Sequence, residues 1–106
     1  MFHVYVLQTI AKPWKLYTGF TGRAIDERVR DHNLGKVEAT RQHRPWQVMY
    51  YESYLDEEDA RTRERQIKQY GSTWGHLKSR IKNSLEKGKG EVRSVEPSST
   101  IAKGEK

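Results

Sequence analysis

Glu64 stands where a core residue is expected. On a helix read over residues 57–69, Ala60 and Ile67 mark the apolar stripe, and Glu64 falls between them at i+4 and i−3. A carboxylate turned inward is costly unless it is paired or bound to a metal. The competing arrangement is a helix pair with Lys68 at i,i+4, the carboxylate leaning to solvent. Arg28 and His32 are also four apart on one helix face, so a guanidinium and an imidazole can converge on one spot. Taken singly, the His suits a structural role at a helix border and the Arg a solvated charge. Tyr5 and Tyr17 complete the set. Strand alternation puts His3, Tyr5 and Leu7 on one face of a first strand, and Tyr17 and Gly19 on one face of a second. A register pairing Tyr5 with Tyr17 centres the turn on Ala11. An ordinary aromatic pair gives the same pattern, worth under ~1 kcal/mol. By type, these groups ligate hard cations, bind anions and carry protons.

The elements that must position them are short. Residues 2–9 and 15–20 read as two antiparallel strands around a loop containing Pro13. Residues 24–34 read as a helix with Ile25, Val29 and His32 on one stripe, closed by Leu34-Gly35. Residues 36–45 are polar and basic, a loop or short helix ending at Pro45. Residues 46–52 read as a third strand. Asp56 caps the helix over 57–69, whose acids lie at its N-terminus and bases at its C-terminus. Ser72 or Thr73 is expected to cap a last helix carrying Trp74, Leu77, Ile81 and Leu85. The expected fold is α/β (α+β): a small three-stranded antiparallel sheet flanked by helices, in the order ββαβαα.

Composition narrows the class. The 106 residues carry a net charge of +6 and no cysteine. A disulfide scaffold, a Cys-based zinc finger and an iron–sulfur site are excluded. No apolar run approaches the ~18 residues of a membrane span, and the first residues do not read as a signal peptide. The expectation is a soluble, cytoplasmic protein with a polyanionic partner. Residues 60–82 hold Arg61, Arg63, Arg65, Lys68, Lys78, Arg80 and Lys82 against Glu64 alone, so the whole excess of +6 sits there. Hydrophobic residues make up only 34% of the chain. Residues 86–106 are expected to form a disordered polar tail and residues 1–85 the folded domain.

In these residues the chain resembles the GIY-YIG nuclease superfamily, and within it the small single-domain YhbQ/YazA-like branch. Gly-Ile-Tyr corresponds to His3-Val4-Tyr5 and Tyr-Ile-Gly to Tyr17-Thr18-Gly19. Glu27-Arg28-Val29 matches the family's helix, followed by Asp31-His32-Asn33 and Gly35-Lys36. Arg44-Pro45-Trp46 opens the third strand, and the family's late Glu falls at Glu64, before Arg65-Gln66-Ile67-Lys68. The match covers about residues 2–82. The first motif keeps only its tyrosine, and the family's frequent late Asn has no clear counterpart.

The resemblance implies a metal-dependent endonuclease that hydrolyses phosphodiester bonds in DNA, with structured or damaged DNA as candidate substrates and DNA repair as a setting. It implies Mg²⁺ (or Mn²⁺) held by Glu64. It implies catalytic roles for Tyr5, Tyr17, Arg28, His32 and Glu64: Arg28 forking onto the phosphate, the tyrosines jointly serving as base, and His32 passing the proton on. Lys36, Arg41, Arg44, Arg61, Arg65 and Lys68 are then candidates for tracking phosphates. Trp46 and Tyr51 suit either base stacking or the core. No DNA-targeting domain is legible, so a protein partner for targeting stays unknown. The alternative is a nucleic-acid-binding module with this fold and little catalysis. A protein-interaction module ranks last, because it leaves the polar set unused.

Overall fold

The fold was obtained as a computed structural model and is described for residues 1–90. Strands β1 (Phe2–Thr9), β2 (Leu16–Thr21) and β3 (Trp46–Tyr54) form one antiparallel sheet in the order β2-β1-β3. Helices α1 (Ile25–Asn33) and α2 (Glu38–Arg41) lie between β2 and β3 in the chain, and α3 (Glu57–Gln69), α4 (Gly71–Arg80) and α5 (Lys82–Gly88) follow. The α+β class and the three-stranded antiparallel sheet agree with expectation.

The period of two along β1 divides the apolar residues into two cores. Val4 and Val6 join Ala60, Ile67, Leu77 and Ile81 beneath α3 and α4. Tyr5 and Leu7 join Trp46 on the other face, with Tyr17, Ile25 and Val29 against them. Asp56 caps α3 as its sequence suggests. It is extended (φ −102°, ψ 134°), and its carboxylate accepts from the Glu58 N–H at 2.8 Å.

Four local expectations need correction. First, Tyr5 pairs with Gly19, and Tyr17 pairs with Leu7. The connection explains this shift. The Thr9 hydroxyl accepts from the Lys15 N–H and donates to the Pro13 carbonyl, each at 3.0 Å, while the Thr9 N–H bonds to the Lys15 carbonyl. That clasp centres the turn on Lys12. The two tyrosines stay on one face, but diagonally.

Second, the last helix is two helices. The stripe Trp74, Leu77, Ile81, Leu85 does face the core, yet the backbone breaks at Ile81 (φ −107°, ψ 23°). The chain turns there so that α5 can lie against β1 and β3. The Gln8 side-chain amide donates to the Leu85 carbonyl (3.2 Å) and the Gln47 amide to the Gly88 carbonyl (2.8 Å), which satisfies terminal acceptors of the helix.

Third, neither Ser72 nor Thr73 is a cap. Tyr70 closes α3 through its N–H and opens α4 through its carbonyl, so α4 starts at Gly71 and both residues lie inside it.

Fourth, β3 runs two residues further than expected, to Tyr54. Residues 86–88, assigned to the tail, belong to α5. The tail expectation for residues 91–106 lies outside the described residues.

Candidate active site

Tyr5 sits at the middle of the central strand, 1% exposed. Its partner Gly19 is what lets the phenol lie there. A Cβ at Gly19 would fall 2.5 Å from Cζ and Oη of Tyr5 and 3.0 Å from the Tyr17 ring. Any side chain at position 19 must push the phenol off β2.

The phenol heads a chain of hydrogen bonds into α1 and α2. Tyr5 Oη lies 2.8 Å from His32 Nε2. His32 Nδ1 lies 2.7 Å from Thr40 Oγ1, and that hydroxyl donates to the Val37 carbonyl (3.4 Å). Because Thr40 spends its proton on Val37, its oxygen accepts from His32 Nδ1–H. That leaves Nε2 bare to accept the Tyr5 proton. Arg28, one turn earlier on α1, donates from Nε to Tyr5 Oη at 3.3 Å. The Tyr17 ring meets His32 edge-on at 5.3 Å.

Burial sets the charges. Desolvation pushes the Tyr5 phenol up to about 12, against the pull of Arg28. Desolvation and then Arg28 push His32 down to about 4. The proton therefore rests on Tyr5, and the imidazole is neutral. Both shifts set transfer to His32 uphill in the resting protein.

This histidine has a consequence for folding. An unfolded His titrates near ~6.5. Between that pH and about 4 the unfolded chain binds a proton that folded His32 refuses. Stability is thus fully present above pH ~6.5, falls as the pH drops, and levels off below the folded value, a loss on the order of 3 kcal/mol. Urea unfolding followed from pH 7.5 to 4.5 should show this slope in the native sequence and lack it in His32→Gln. Equal slopes would mean that His32 is not held neutral.

Glu64 comes from α3, which packs on the face of Val4 and Val6. Its side chain is 19% exposed and pairs with Lys68 at 3.2 Å. Its charge is among those that raise the Tyr5 phenol. The Lys68 ammonium stands 5.3 Å from the Tyr17 ring centroid. Both sequence-based pictures of Glu64 hold in part: the i,i+4 pair forms, and the carboxylate stays largely shielded. Tyr5, Tyr17, Arg28 and His32 are brought together, and the Glu64 charge acts on the Tyr5 phenol.

The phosphate-tracking candidates divide. Arg61 is paired with Glu57 (2.8 Å) and lies over the Phe20 ring, Arg65 is paired with Glu58 (3.1 Å), and Lys68 with Glu64. Arg63 also has a partner, Glu52, at 2.9 Å. Lys36, Arg41 and Arg44 are exposed beyond α1. Arg41 Nε donates to the Gly35 carbonyl, and Gly35 (φ 81°) faces the Arg44 guanidinium. Trp46 is core, its indole N–H bonded to the Thr40 carbonyl, whereas Tyr51 is exposed.

Three residues that position the site had no assigned role on the sequence. Thr40 fixes the His32 tautomer from the polar segment after α1, and no spacing signals it. Asn33 uses both ends of its amide on the Trp46 backbone (2.6 and 3.0 Å), tying α1 to β3. Asp31 gathers Arg23 (2.5 Å), Arg28 (3.7 Å) and Lys36 (4.0 Å), and the Arg23 bond holds its carboxyl below the usual range.

The geometry has a counterpart in known proteins. A family model described as the GIY-YIG catalytic domain matches residues 1–78. This chain belongs to the GIY-YIG family. It is also 35% identical over 69 residues to "UPF0213 protein HQ_3675A" of Haloquadratum walsbyi, covering 64% of this chain and 74% of that relative. No solved structure matches. The GIY-YIG domain is that of a nuclease, a hydrolase of nucleic acid. Among the described residues no helix is long and apolar enough to cross a membrane.

No three His, Cys, Asp or Glu side chains come together among the described residues. A closed zinc site is thus not built here. One shielded carboxylate suits a hard divalent cation that keeps its waters and takes further oxygens from a phosphate. On this donor set Glu64 fits Mg²⁺ or Mn²⁺.

Proposed function

We propose that this domain is a divalent-metal-dependent endonuclease acting on DNA. The observation that carries the proposal is the chain Arg28 Nε, Tyr5 Oη, His32 Nε2, whose phenol feels the Glu64 charge. Glu64 would hold the metal, which when bound would supply Lewis-acid stabilisation of the charge that develops on the phosphoryl and leaving oxygens. Arg28 is held by Tyr5 and Asp31 with its guanidinium partly open, and it binds non-bridging oxygens in a fork.

Tyr5 is the better placed of the two tyrosines for proton transfer. Its hydroxyl has an acceptor in line, whereas Tyr17 makes no side-chain hydrogen bond to a described residue. Added positive charge near the phenol lowers its pKa, so Tyr5 is primed only in the loaded site. His32 keeps the phenol oriented and receives its proton as the phenol oxygen takes one from the attacking water. Thr40 keeps Nε2 as the accepting nitrogen.

End-labelled duplex, flap, damaged and single-stranded DNA should be cleaved in Mg²⁺ or Mn²⁺ and left intact in chelator. Cleavage undiminished by chelator would remove the metal from the mechanism. Binding without cleavage on every substrate would favour a nucleic-acid-binding module.

A further inference from the structure

Two arginines and a histidine meet between α3 and α4. Arg63, Thr73, His76, Leu77 and Arg80 line a cavity of about 250 Å³ between α3 and α4. Positions 73, 76, 77 and 80 share one face of α4. Leu77 is buried in the core beneath Val4 and Val6 and forms the floor. Arg63 and Glu64 are consecutive, about 100° apart around the helix. The two side chains thus leave α3 in different directions, the guanidinium into this cavity.

The lining fits an anion. Among the described residues no carboxylate lines it. Glu52, the nearest acid to Arg63, is occupied by the Tyr50 and Tyr54 hydroxyls and by Arg63 Nε at 2.9 Å, so it holds that guanidinium in place. His76 and Arg80 make no ion pair with a described residue and stand at i,i+4, so both side chains can turn to one bound oxyanion. Arginine and a Thr hydroxyl match phosphate oxygens. The volume lies below the ~300–1,000 Å³ of sites for drug-sized organic ligands.

We propose that this cavity is a second phosphate site, which takes a backbone phosphate of the nucleic acid away from the cleaved linkage. The choice of nucleic acid rests on the nuclease function proposed above. The phosphate chemistry does not. The cavity then contributes to affinity rather than to the chemical step.

The test is an NMR titration of the full chain in chelator, following the His76 ring and the Arg80 Nε–H signals. One arm adds inorganic phosphate, the other an oligonucleotide without terminal phosphates. Both should move the two signals. Arg80→Ala should abolish the response, weaken DNA binding about ten-fold, lower the salt slope by about one and leave kcat at saturating DNA unchanged. Arg80→Lys should recover part of the affinity. Shifts with phosphate alone would overturn the nucleic-acid assignment and leave a free-phosphate site. Silence at His76 and Arg80 in both arms would overturn the site altogether. The Arg28 and His32 signals, read in the same spectra, report separately on the catalytic face. If the oligonucleotide leaves them unmoved while phosphate still fills the cavity, the nuclease proposal has failed and the phosphate site stands.

Discussion

Glu64→Gln should lower kcat/KM for DNA cleavage about 10³-fold at saturating metal while leaving the melting temperature almost unchanged. Metal ligation supplies several kcal/mol of transition-state stabilisation, and each ~1.4 kcal/mol is a factor of ten in rate. The structural cost is small. The carboxylate's hydrogen-bonding partner is Lys68, at i,i+4, and such a helix pair is worth about 0.3–0.5 kcal/mol. The amide keeps the shape and gives up the charge. Lys68→Met separates the two effects: it removes the same ion pair without touching the ligand, so as a phosphate-tracking candidate it should raise KM and spare kcat. Steady-state kinetics with thermal melts decides the matter. A loss under ten-fold for Glu64→Gln would relocate the metal.

Tyr5→Phe should lower kcat 10²- to 10⁴-fold, the usual range for a positioned acid or base, and should also destabilise the fold. The ring is retained, so the fit over Gly19 survives. The proton donated to His32 Nε2 is lost, however, and a fully buried acceptor without a donor costs about 1–3 kcal/mol. Tyr17→Phe separates the two phenols. No side-chain hydrogen bond to a described residue holds its hydroxyl, so that variant should melt like the native protein. Full activity in Tyr5→Phe together with loss in Tyr17→Phe would assign the proton transfer to Tyr17.

Helix α3 was legible in the sequence to its ends, because an N-cap, a charge gradient and an apolar stripe all act within thirteen residues. Arg28 and His32 were legible for the same local reason. The strand register was not. It hangs on one hydroxyl, Thr9, that clasps the loop from its far side. The break at Ile81 was hidden too: the 3, 4, 4 spacing of its stripe is satisfied by two helices as well as by one, and only the glutamines of β1 and β3 show where α5 must lie. Summed charge over residues 60–82 does not show pairing, since Glu57 and Glu58 lie just before that stretch and Glu52 comes from β3. Thr40 is the instructive omission. A threonine in a polar stretch has no local pattern, and its role depends on a histidine eight residues away across a turn at Gly35.

Ala60 and Ile67 bracket Glu64 on α3, and both are sunk in the core against Val4 and Val6. The methyl of Ala60 is therefore a spacer that calibrates how far the carboxylate stands from the phenol. A bulkier residue there would act as a shim, lifting the helix and carrying Glu64 with it, at an overpacking cost of about 1–3 kcal/mol. In so thin a domain, tolerance to core variation and catalytic alignment are one quantity, and drift at position 60 would register first as a detuned enzyme and only later as an unfolded one.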